Sequence, residues 1–280
     1  MKLYKIETGN FMLDGGAMFG VVPKILWNNK YPSDESNLCN WALRCLLVEI
    51  GDRKILINNG IGNKQGDKFL SYYFLNGNDT LEKSLSKNEF SFDDITDVVL
   101  THLHFDHCGG SIKYNDEKTE LVPAFKNAKF WVGKSQWELA LNSNRREKAS
   151  FLEENILPIK KSGKLKLIEE DTELFPGFLV KLFNGHTNGQ LIPFIKYKEK
   201  TIVFTSDLLP SSAHIPMSYI MSYDTKPLIT LKEKETFLKE AVENNYVLFF
   251  EHDFYNECCT VCNSKKGVIV DKTFNLSEIL

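Results

Sequence analysis

Residues 101–107 read Thr101-His102-Leu103-His104-Phe105-Asp106-His107. Three of the six histidines in the 280-residue chain lie within this short stretch. Imidazole nitrogens and carboxylate oxygens are ligands that divalent metals such as zinc accept in proteins. Three surface histidines beside an aspartate would be a rare accident in a chain with so few histidines. The stretch therefore predicts a metal-binding loop.

The position of the stretch in the chain indicates how its side chains are presented. It follows the apolar residues 98–100, which predict a short strand, and it precedes a cysteine and a pair of glycines. His102 and His104 are two residues apart, so they share a face of an extended backbone. Asp106 and His107 come where the chain has to curl, and they can face a second nearby position. The loop therefore offers donors to two adjacent metal positions.

Further ligands must come from other parts of the chain, because four donors in one loop cannot complete two metal shells. His186, Asp207 and His252 each come shortly after an apolar run that predicts a strand. These runs are residues 179–183, 202–205 and 247–250. Strand ends of a layered sheet meet at one rim, so we expect these side chains to join the donors of the loop.

This set of residues, in this order, resembles the metallo-β-lactamase-fold hydrolase superfamily over nearly the whole chain. The resemblance implies an α+β fold, an αβ/βα four-layer sandwich of two mixed β-sheets flanked by helices, with the site at one edge of the sheets. It also implies two divalent metal ions that share a bridging water or hydroxide. The implied ligands are His102, His104 and His186 for one ion, Asp106, His107 and His252 for the other, and Asp207 as the bridge. Asp106 is the predicted catalytic residue, because beside the bridging hydroxide it can pass a proton to the leaving group.

Two features of the predicted centre stay open, the metal and one neighbouring residue. Zinc is expected, and manganese, iron and cobalt remain alternatives because all seven ligands are nitrogen or oxygen donors. Family members usually carry Asp-Thr/Cys-Gly after the second strand, whereas this chain has Asn58-Asn59-Gly60. The usual Asp accepts a hydrogen bond beside the metal ligands, and Asn58 keeps an acceptor but loses the charge. This is either a tolerated exchange or the mark of a weaker metal site with little turnover.

Within the superfamily, the chain resembles the branch of lactonases and methyl-parathion-hydrolase-like enzymes. The loop at residues 101–107 and the pair Leu38-Cys39 look like the lactonases. Lactonases usually place a tyrosine three residues after the bridging aspartate to hold the substrate carbonyl, and here that position is Pro210. His214 or Tyr223 is the predicted replacement, although a histidine bonded to the loop backbone is the plainer interpretation of His214.

The two longest irregular segments, residues 14–40 and 208–226, predict an apolar substrate. Both contain aromatic and apolar residues with few cations, and long loops of this kind in a compact domain are often functional. Phe19 in the first segment and Phe105 in the metal loop are candidate substrate contacts, together with the two replacements named above. The predicted activity is hydrolysis of a small apolar ester, lactone or phosphotriester, as in N-acyl-homoserine lactonases or organophosphate hydrolases. The alternatives are a glyoxalase II-like thioesterase and a metal-binding protein with little turnover because of Asn58.

Composition argues against several classes of protein. The net charge of −3, with 25% charged residues, gives no basic surface for a nucleic acid. No run approaches the ~20 apolar residues that span a bilayer, and the N-terminus lacks the apolar core of a signal peptide. We therefore expect a cytoplasmic protein with a small-molecule substrate and with neither nucleic acid nor membrane as partner, while a homodimer stays open. No linker divides the chain, so residues 1–280 predict a single hydrolase domain.

Apolar runs and turns predict mixed β-sheets covered by helices. Besides the runs named above, strands are predicted at residues 46–50, 54–57, 98–101 and 130–132, with a hairpin turn at Gly51-Asp52-Arg53. Capping-box patterns that begin at Ser135 and Thr230 predict helix starts, and residues 79–87 form a third candidate helix. The cysteines within residues 258–262 lack the second ligand pair of a structural zinc site, so we expect reduced strand thiols.

Overall fold

The structure is a computed structural model that describes all 280 residues. The strands are β1 (Lys2–Asp14), β2 (Leu38–Ile50), β3 (Arg53–Ile57), β4 (Asp97–Val99), β5 (Ile112–Tyr114), β6 (Leu121–Pro123), β7 (Lys129–Gly133), β8 (Leu165–Ile168), β9 (Thr172–Phe175), β10 (Phe178–Phe183), β11 (Gln190–Tyr197), β12 (Lys200–Phe204), β13 (Val247–Phe249), β14 (Cys258–Ser264) and β15 (Gly267–Phe274). The α-helices are α1 (Gly15–Phe19), α2 (Lys24–Trp27), α3 (Asp67–Leu70), α4 (Leu81–Lys87), α5 (Phe105–Cys108), α6 (Lys134–Leu141), α7 (Glu153–Lys161) and α8 (Pro227–Glu243). None of these helices has the length and apolar character needed to cross a membrane.

The chain forms two compact units. Unit 1 consists of Met1–Gly9 and Leu43–Glu170, and unit 2 consists of Asn10–Ala42 and Asp171–Leu280. Each unit contains a mixed sheet with helices against it, as the pattern of apolar runs predicts. The single domain over residues 1–280 stays a prediction.

The first sheet, which belongs mostly to unit 1, has the strand order β1-β2-β3-β4-β7-β8. β2 and β3 form the predicted hairpin, in which Ile50 pairs with Arg53 across a two-residue turn. Gly51 in this turn has a φ of 56°, a left-handed conformation that glycine adopts at little cost. β3, β4, β7 and β8 run parallel, so their carboxyl ends share one edge of the sheet. The metal loop follows β4 at that edge.

The core of unit 1 is built by α4, α6 and α7 against this sheet. Leu85 of α4, Trp137 of α6 and Ile159 of α7 belong to one buried cluster with Val98 and Phe130 of the central strands. Strands with apolar residues at nearly every position are typical of a parallel sheet that is buried. The packing therefore holds the end of β4, and with it the start of the metal loop, on a rigid base.

The second sheet lies in unit 2 and has the strand order β15-β14-β13-β12-β11-β10-β9. β10 and β12 are both antiparallel to β11, and β13 is parallel to β12. β10, β12 and β13 therefore run in the same direction, and their carboxyl ends lie at the same edge. α8 packs on this sheet through Phe237, Leu238 and Ala241, which share a buried cluster with Val203 and Leu248.

The predicted strands are confirmed, but two predicted helix starts are wrong. α6 begins at Lys134, directly after β7, with Gly133 as its N-cap and no side-chain cap. α8 begins at Pro227, whose fixed φ suits the first helical position. Both capping-box patterns therefore lie inside their helices. α4, in contrast, begins within the third predicted helix and has a hydrogen-bonded cap at Thr80.

The three cysteines near the C-terminus lie in β14 as free thiols, as predicted. Cys258 and Cys259 are buried and Cys262 is half-buried. Burial raises the pKa of the Cys259 thiol well above its usual value. A thiol held in its neutral form is a poor nucleophile and a poor metal ligand.

Candidate metal centre

The metal loop of unit 1 (residues 101–108) has the backbone shape that its sequence predicts. The backbone at His104 is extended, with φ −63° and ψ 148°. α5 then makes a single helical turn that carries Asp106 and His107. The three histidines of the loop are buried and Asp106 is half-buried.

The four donors of the metal loop converge within unit 1. The ligand atom of His102 lies within 4.8 Å of those of His104 and His107. The ring centroids are 4.5 Å apart for His102 and His104 and 3.9 Å apart for His102 and His107. Oδ2 of Asp106 lies 3.4 Å from Nε2 of His107. His102 thus lies beside both His104 and His107, and Asp106 lies beside His107.

Two glycines allow the metal loop to pack on the turn that follows β3. A Cβ at Gly109 would lie 1.8 Å from the carbonyl oxygen of Ile61, and a Cβ at Gly110 would lie 2.2 Å from that of Asn59. The backbone N–H of Asn59 also donates to the carbonyl oxygen of His107 over 2.9 Å. Any side chain at either glycine would separate the two segments, so this backbone contact sets the position of the donors.

Unit 2 supplies the other three predicted donors from three strand ends. His186 follows β10, Asp207 lies in a 3-10 turn after β12, and His252 follows β13. Because these strands run in the same direction, the three side chains lie at one edge of the second sheet. Nε2 of His186 lies 3.2 Å from Oδ2 of Asp207, and Nε2 of His252 lies 3.2 Å from Oδ1 of the same carboxylate. Each oxygen of Asp207 therefore faces a different histidine.

Oxygen atoms hold the far side of three of these imidazole rings. Nδ1 of His186 lies 2.8 Å from Oδ1 of Asp224, and Nδ1 of His252 lies 2.8 Å from the carbonyl oxygen of Ala42. Nδ1 of His102 lies 3.1 Å from Oγ1 of Thr101. The carboxylate of Asp224 and the carbonyl of Ala42 only accept, so they keep the proton on Nδ1 of His186 and His252 and leave the lone pair of Nε2 available to a metal ion.

Asn58 gives His107 a different neighbour. Oδ1 of Asn58 accepts a hydrogen bond from the backbone N–H of Thr101 over 2.9 Å, and Nδ2 lies 3.1 Å from Nδ1 of His107. An amide nitrogen only donates, so in this arrangement Nδ1 of His107 accepts and the ring proton belongs on Nε2. Asn58 is fully buried and has a φ of 56°, which asparagine tolerates better than most residues. The exchange of Asp for Asn therefore disfavours the tautomer that would bind a metal through Nε2.

Comparisons with known proteins identify the family of this chain. The profile of the metallo-beta-lactamase superfamily matches residues 44–252, which is most of the chain. The chain belongs to the metallo-beta-lactamase superfamily. The predicted α+β fold of two mixed sheets with flanking helices is thereby confirmed.

Lactonases and a probable hydrolase are among the proteins most similar to this chain. The N-acyl homoserine lactonase AiiA of Bacillus thuringiensis subsp. kurstaki is 25% identical over 272 residues, which cover 91% of this chain and 94% of AiiA. A solved structure of a probable metal-dependent hydrolase from Staphylococcus aureus has a TM-score of 0.88 and 29% identity, with 98% of this chain and 96% of that chain covered. AidC, a dizinc quorum-quenching lactonase in complex with a product, has a TM-score of 0.77 and 24% identity, with 98% and 95% covered. This superfamily member is therefore a metal-dependent hydrolase, and its resemblance to the lactonase branch is confirmed.

Two of the predicted substrate contacts of this hydrolase have no exposed surface. Phe19 is fully buried and stacks on His214, with ring centroids 4.7 Å apart and planes 9° apart. Nε2 of His214 donates to the carbonyl oxygen of Met18 over 2.9 Å, and Nδ1 accepts from Oγ of Ser211 over 2.7 Å. Burial lowers the pKa of His214 to about 3, so the ring is neutral. The structure thus gives His214 and Phe19 packing roles, and the substrate contacts predicted for them lack support.

The other two predicted contacts are placed differently. Tyr223 is 41% exposed, in the irregular segment after β12. Phe105 is largely buried in the metal loop and packs against two aromatic side chains of unit 1. Its ring centroid lies 5.2 Å from that of Phe69 and 4.7 Å from that of Tyr73. Sequence analysis missed Phe69 and Tyr73, although their spacing of four residues is that of neighbours on a helical turn.

Sequence analysis also missed the residues that orient the donors. Asp224 holds His186, and Glu233 accepts hydrogen bonds from the backbone N–H groups of Asn184 and Gly185 over 2.7 and 2.9 Å. Asp224 is one of many acids in the chain and is far from His186 in sequence, so no local pattern marks it. Glu233 is the last residue of the capping-box pattern that begins at Thr230. Its hydrogen-bond partners instead come from the loop before His186.

Proposed function

We propose that the chain is a dinuclear metallo-hydrolase that opens small apolar lactones. The observation that carries the proposal is the position of Asp207, whose two oxygens each lie 3.2 Å from Nε2 of a different histidine. A carboxylate with one oxygen beside each of two ligand histidines has the arrangement of a bridge between two ions. The four donors of the metal loop lie close together, which supports a shared metal centre.

The proposed ligand sets follow from these contacts and from the superfamily. One ion is held by His102, His104 and His186, the other by Asp106, His107 and His252, and Asp207 contributes one oxygen to each. Imidazole nitrogens and carboxylate oxygens fit zinc, and zinc is the metal named for AidC. Manganese, iron and cobalt fit the same donors, so the metal content of the purified protein has to be measured.

The chemistry of the proposed centre needs no side-chain nucleophile. Two divalent ions, when bound, polarise a substrate carbonyl and make a hydroxide nucleophile available near neutral pH. Asp106 is half-buried beside His107, where its carboxylate can accept the proton of the attacking water and deliver it to the leaving alkoxide. Cys108, two residues after Asp106, is unsuitable as a nucleophile because burial raises the pKa of its thiol to about 12.

Aromatic side chains beside the metal loop support an apolar substrate. Phe105 lies between two donors in sequence and packs with Phe69 and Tyr73, so an aromatic cluster lies beside the metal loop. Burial of an acyl chain against such a cluster would contribute about 25 cal/mol of binding free energy per Å² of apolar surface. The relatives that cover most of the chain are N-acyl homoserine lactonases, so we propose an N-acyl homoserine lactone as the substrate.

Other parts of the proposal rest on composition. The net charge of −3 argues against a nucleic acid as partner. We propose a cytoplasmic protein with a small-molecule substrate and no membrane partner. A homodimer is the assembly to test by light scattering. Aryl phosphotriesters and glutathione thioesters are the alternative substrates, and a metal-binding protein with little turnover is the alternative suggested by Asn58.

A substrate panel tests the proposed function. We expect the metal-loaded protein to hydrolyse N-acyl homoserine lactones faster than p-nitrophenyl esters, an aryl phosphotriester, a glutathione thioester and single-stranded RNA. Removal of metal with a chelator should abolish the lactone activity, and zinc should restore it. Cleavage of the thioester or the RNA far above the lactones would refute the proposed substrate, and activity insensitive to chelators would refute the metal centre.

A further inference from the structure

The segment between α6 and α7 places a buried acid beside the metal loop. The side chain of Glu147 is 4% exposed, and its Oε1 lies 3.7 Å from Nε2 of His104. The neighbours Arg145, Arg146 and Lys148 are all exposed. Among these charged neighbours only Glu147 is buried, and its carboxylate lies beside the ring of a proposed metal ligand.

Asn144 fixes the orientation of this carboxylate. Nδ2 of Asn144 donates to Oε2 of Glu147 over 2.5 Å. Oδ1 of Asn144 accepts from the backbone N–H groups of Arg146 and Glu147 over 2.9 and 3.1 Å, which closes a tight turn. The turn holds Oε2 on the side of Asn144, and Oε1 is left on the side of His104.

The surroundings strengthen the effect of the charge. His104 is 7% exposed, and its ring lies 5.1 Å from that of the buried Phe151. Charges interact more strongly where protein replaces water around them. A buried carboxylate is stable only where hydrogen bonds and positive charge compensate it. Asn144 supplies a hydrogen bond to one oxygen, and a cation held by His104 would supply positive charge beside the other.

We propose that Glu147 is a further carboxylate of the metal centre, which strengthens binding of the ion held by His104. This inference rests on the proposed dinuclear function, since it assumes an ion held by His104. The carboxylate beside Nε2 favours a proton on that nitrogen, which leaves Nδ1 of His104 for the ion. Glu147 is a positioning residue that acts through its charge, and the lactone need not touch it. It lies 43 residues after His104 in sequence, outside the metal-binding motif.

Metal affinity is the direct test. Metal-free protein is titrated with zinc against a chromophoric chelator, and the two dissociation constants per chain are fitted. Glu147→Gln keeps the shape of the side chain and removes its charge, so we expect one of the two ions to bind about 10–100-fold more weakly. Asn144→Ala keeps the charge of Glu147 but removes the hydrogen bond that orients it. We therefore expect a smaller loss of affinity for the same ion. Glu138→Gln, at an exposed position of α6, is the matched control and should leave both constants unchanged.

Further readouts separate the outcomes. Thermal unfolding of the metal-free variants checks that each has folded, and the visible spectrum of the cobalt-loaded protein should change in Glu147→Gln and stay the same in Glu138→Gln. If the wild type takes up fewer than two ions, the proposed function fails. If the wild type takes up two ions and both Glu147→Gln and Asn144→Ala bind them within about twofold of it, Glu147 has a purely structural role and the inference is wrong.

Discussion

At the scale of single residues, Asn58 stands where the resemblance to the superfamily predicts an aspartate. When a metal ion occupies Nε2 of His107, residue 58 has two N–H groups to accept from. They are the backbone N–H of Thr101 and the Nδ1–H of His107. An aspartate offers an oxygen to each, whereas Asn58 has one oxygen and gives it to Thr101. Turning the amide over would place Nδ2 against the Thr101 N–H instead. In either orientation one contact is lost, so we expect Asn58 to weaken the binding of a metal ion by Asp106 and His107.

Asn58→Asp should therefore strengthen metal binding. Outer partners of ligand histidines are typically worth about 10–100-fold in metal affinity, and we expect the weaker of the two ions to gain an amount in this range. The measurement is the zinc titration against a chelator. Asn59→Asp is the control, because Asn59 is also buried but donates through Nδ2 to Ser111. A gain below about twofold for Asn58→Asp, or an equal gain for the control, would make the residue a neutral variant.

The residue scale also shows what sequence can predict about this site. The donors of the metal loop are close neighbours on a short segment, so their spacing alone indicates a shared purpose. Asp224 and Glu147 come from segments with no pattern of their own, and only tertiary packing brings them to a histidine. His214 has a residue type that suits catalysis, but its burial and its two hydrogen bonds depend partly on Met18, which is distant in sequence.

At the scale of elements, the irregular segments are held by specific contacts. Nζ of Lys234 in α8 donates to the carbonyl oxygens of Pro216 and Tyr219 over 2.7 and 3.0 Å. Glu233 of the same helix anchors the loop before His186. The anchors of these segments on α8 follow from tertiary contacts, which is also why the capping-box interpretation of Glu233 was wrong.

The buried ring of His214 predicts that the free energy of unfolding depends on pH. Burial lowers the pKa of His214 from 6.5 to about 3 in the folded protein, so the unfolded chain binds a proton that the folded chain does not. The stabilisation is complete above about pH 6.5 and is lost as the pH falls towards 3, at about 1.4 kcal/mol per pH unit.

Urea unfolding of the metal-free protein at pH 7, 6 and 5 measures this effect. His214→Asn removes the titrating ring, so its free energy of unfolding should fall less steeply with decreasing pH than that of the wild type. The comparison uses the slopes, because the substitution also removes the stacking on Phe19. Equal slopes in the two proteins would show that His214 titrates alike in the folded and unfolded states.

At the scale of the whole molecule, the predicted metal-binding residues lie just after the ends of strands. The metal loop follows a parallel strand of the first sheet, and the other donors follow three strands of the second sheet that run in one direction. Apolar strands followed by His or Asp could be recognised in the sequence, so the fold class and the donors could be predicted together. Strands β1, β9 and β15 carry no such marker, and their alternating or polar sequences do not distinguish them.

Zinc titration of the metal-free protein, with lactone hydrolysis and bound metal measured on the same samples, tests the dinuclear centre most directly. We expect activity towards an N-acyl homoserine lactone to rise with bound zinc and to reach its maximum at about two ions per chain. Asp207→Ala should retain fewer than two ions and lose most of its activity, because it lacks the proposed bridge. Full activity at one ion per chain, or two ions bound with equal affinity by Asp207→Ala, would contradict the dinuclear centre.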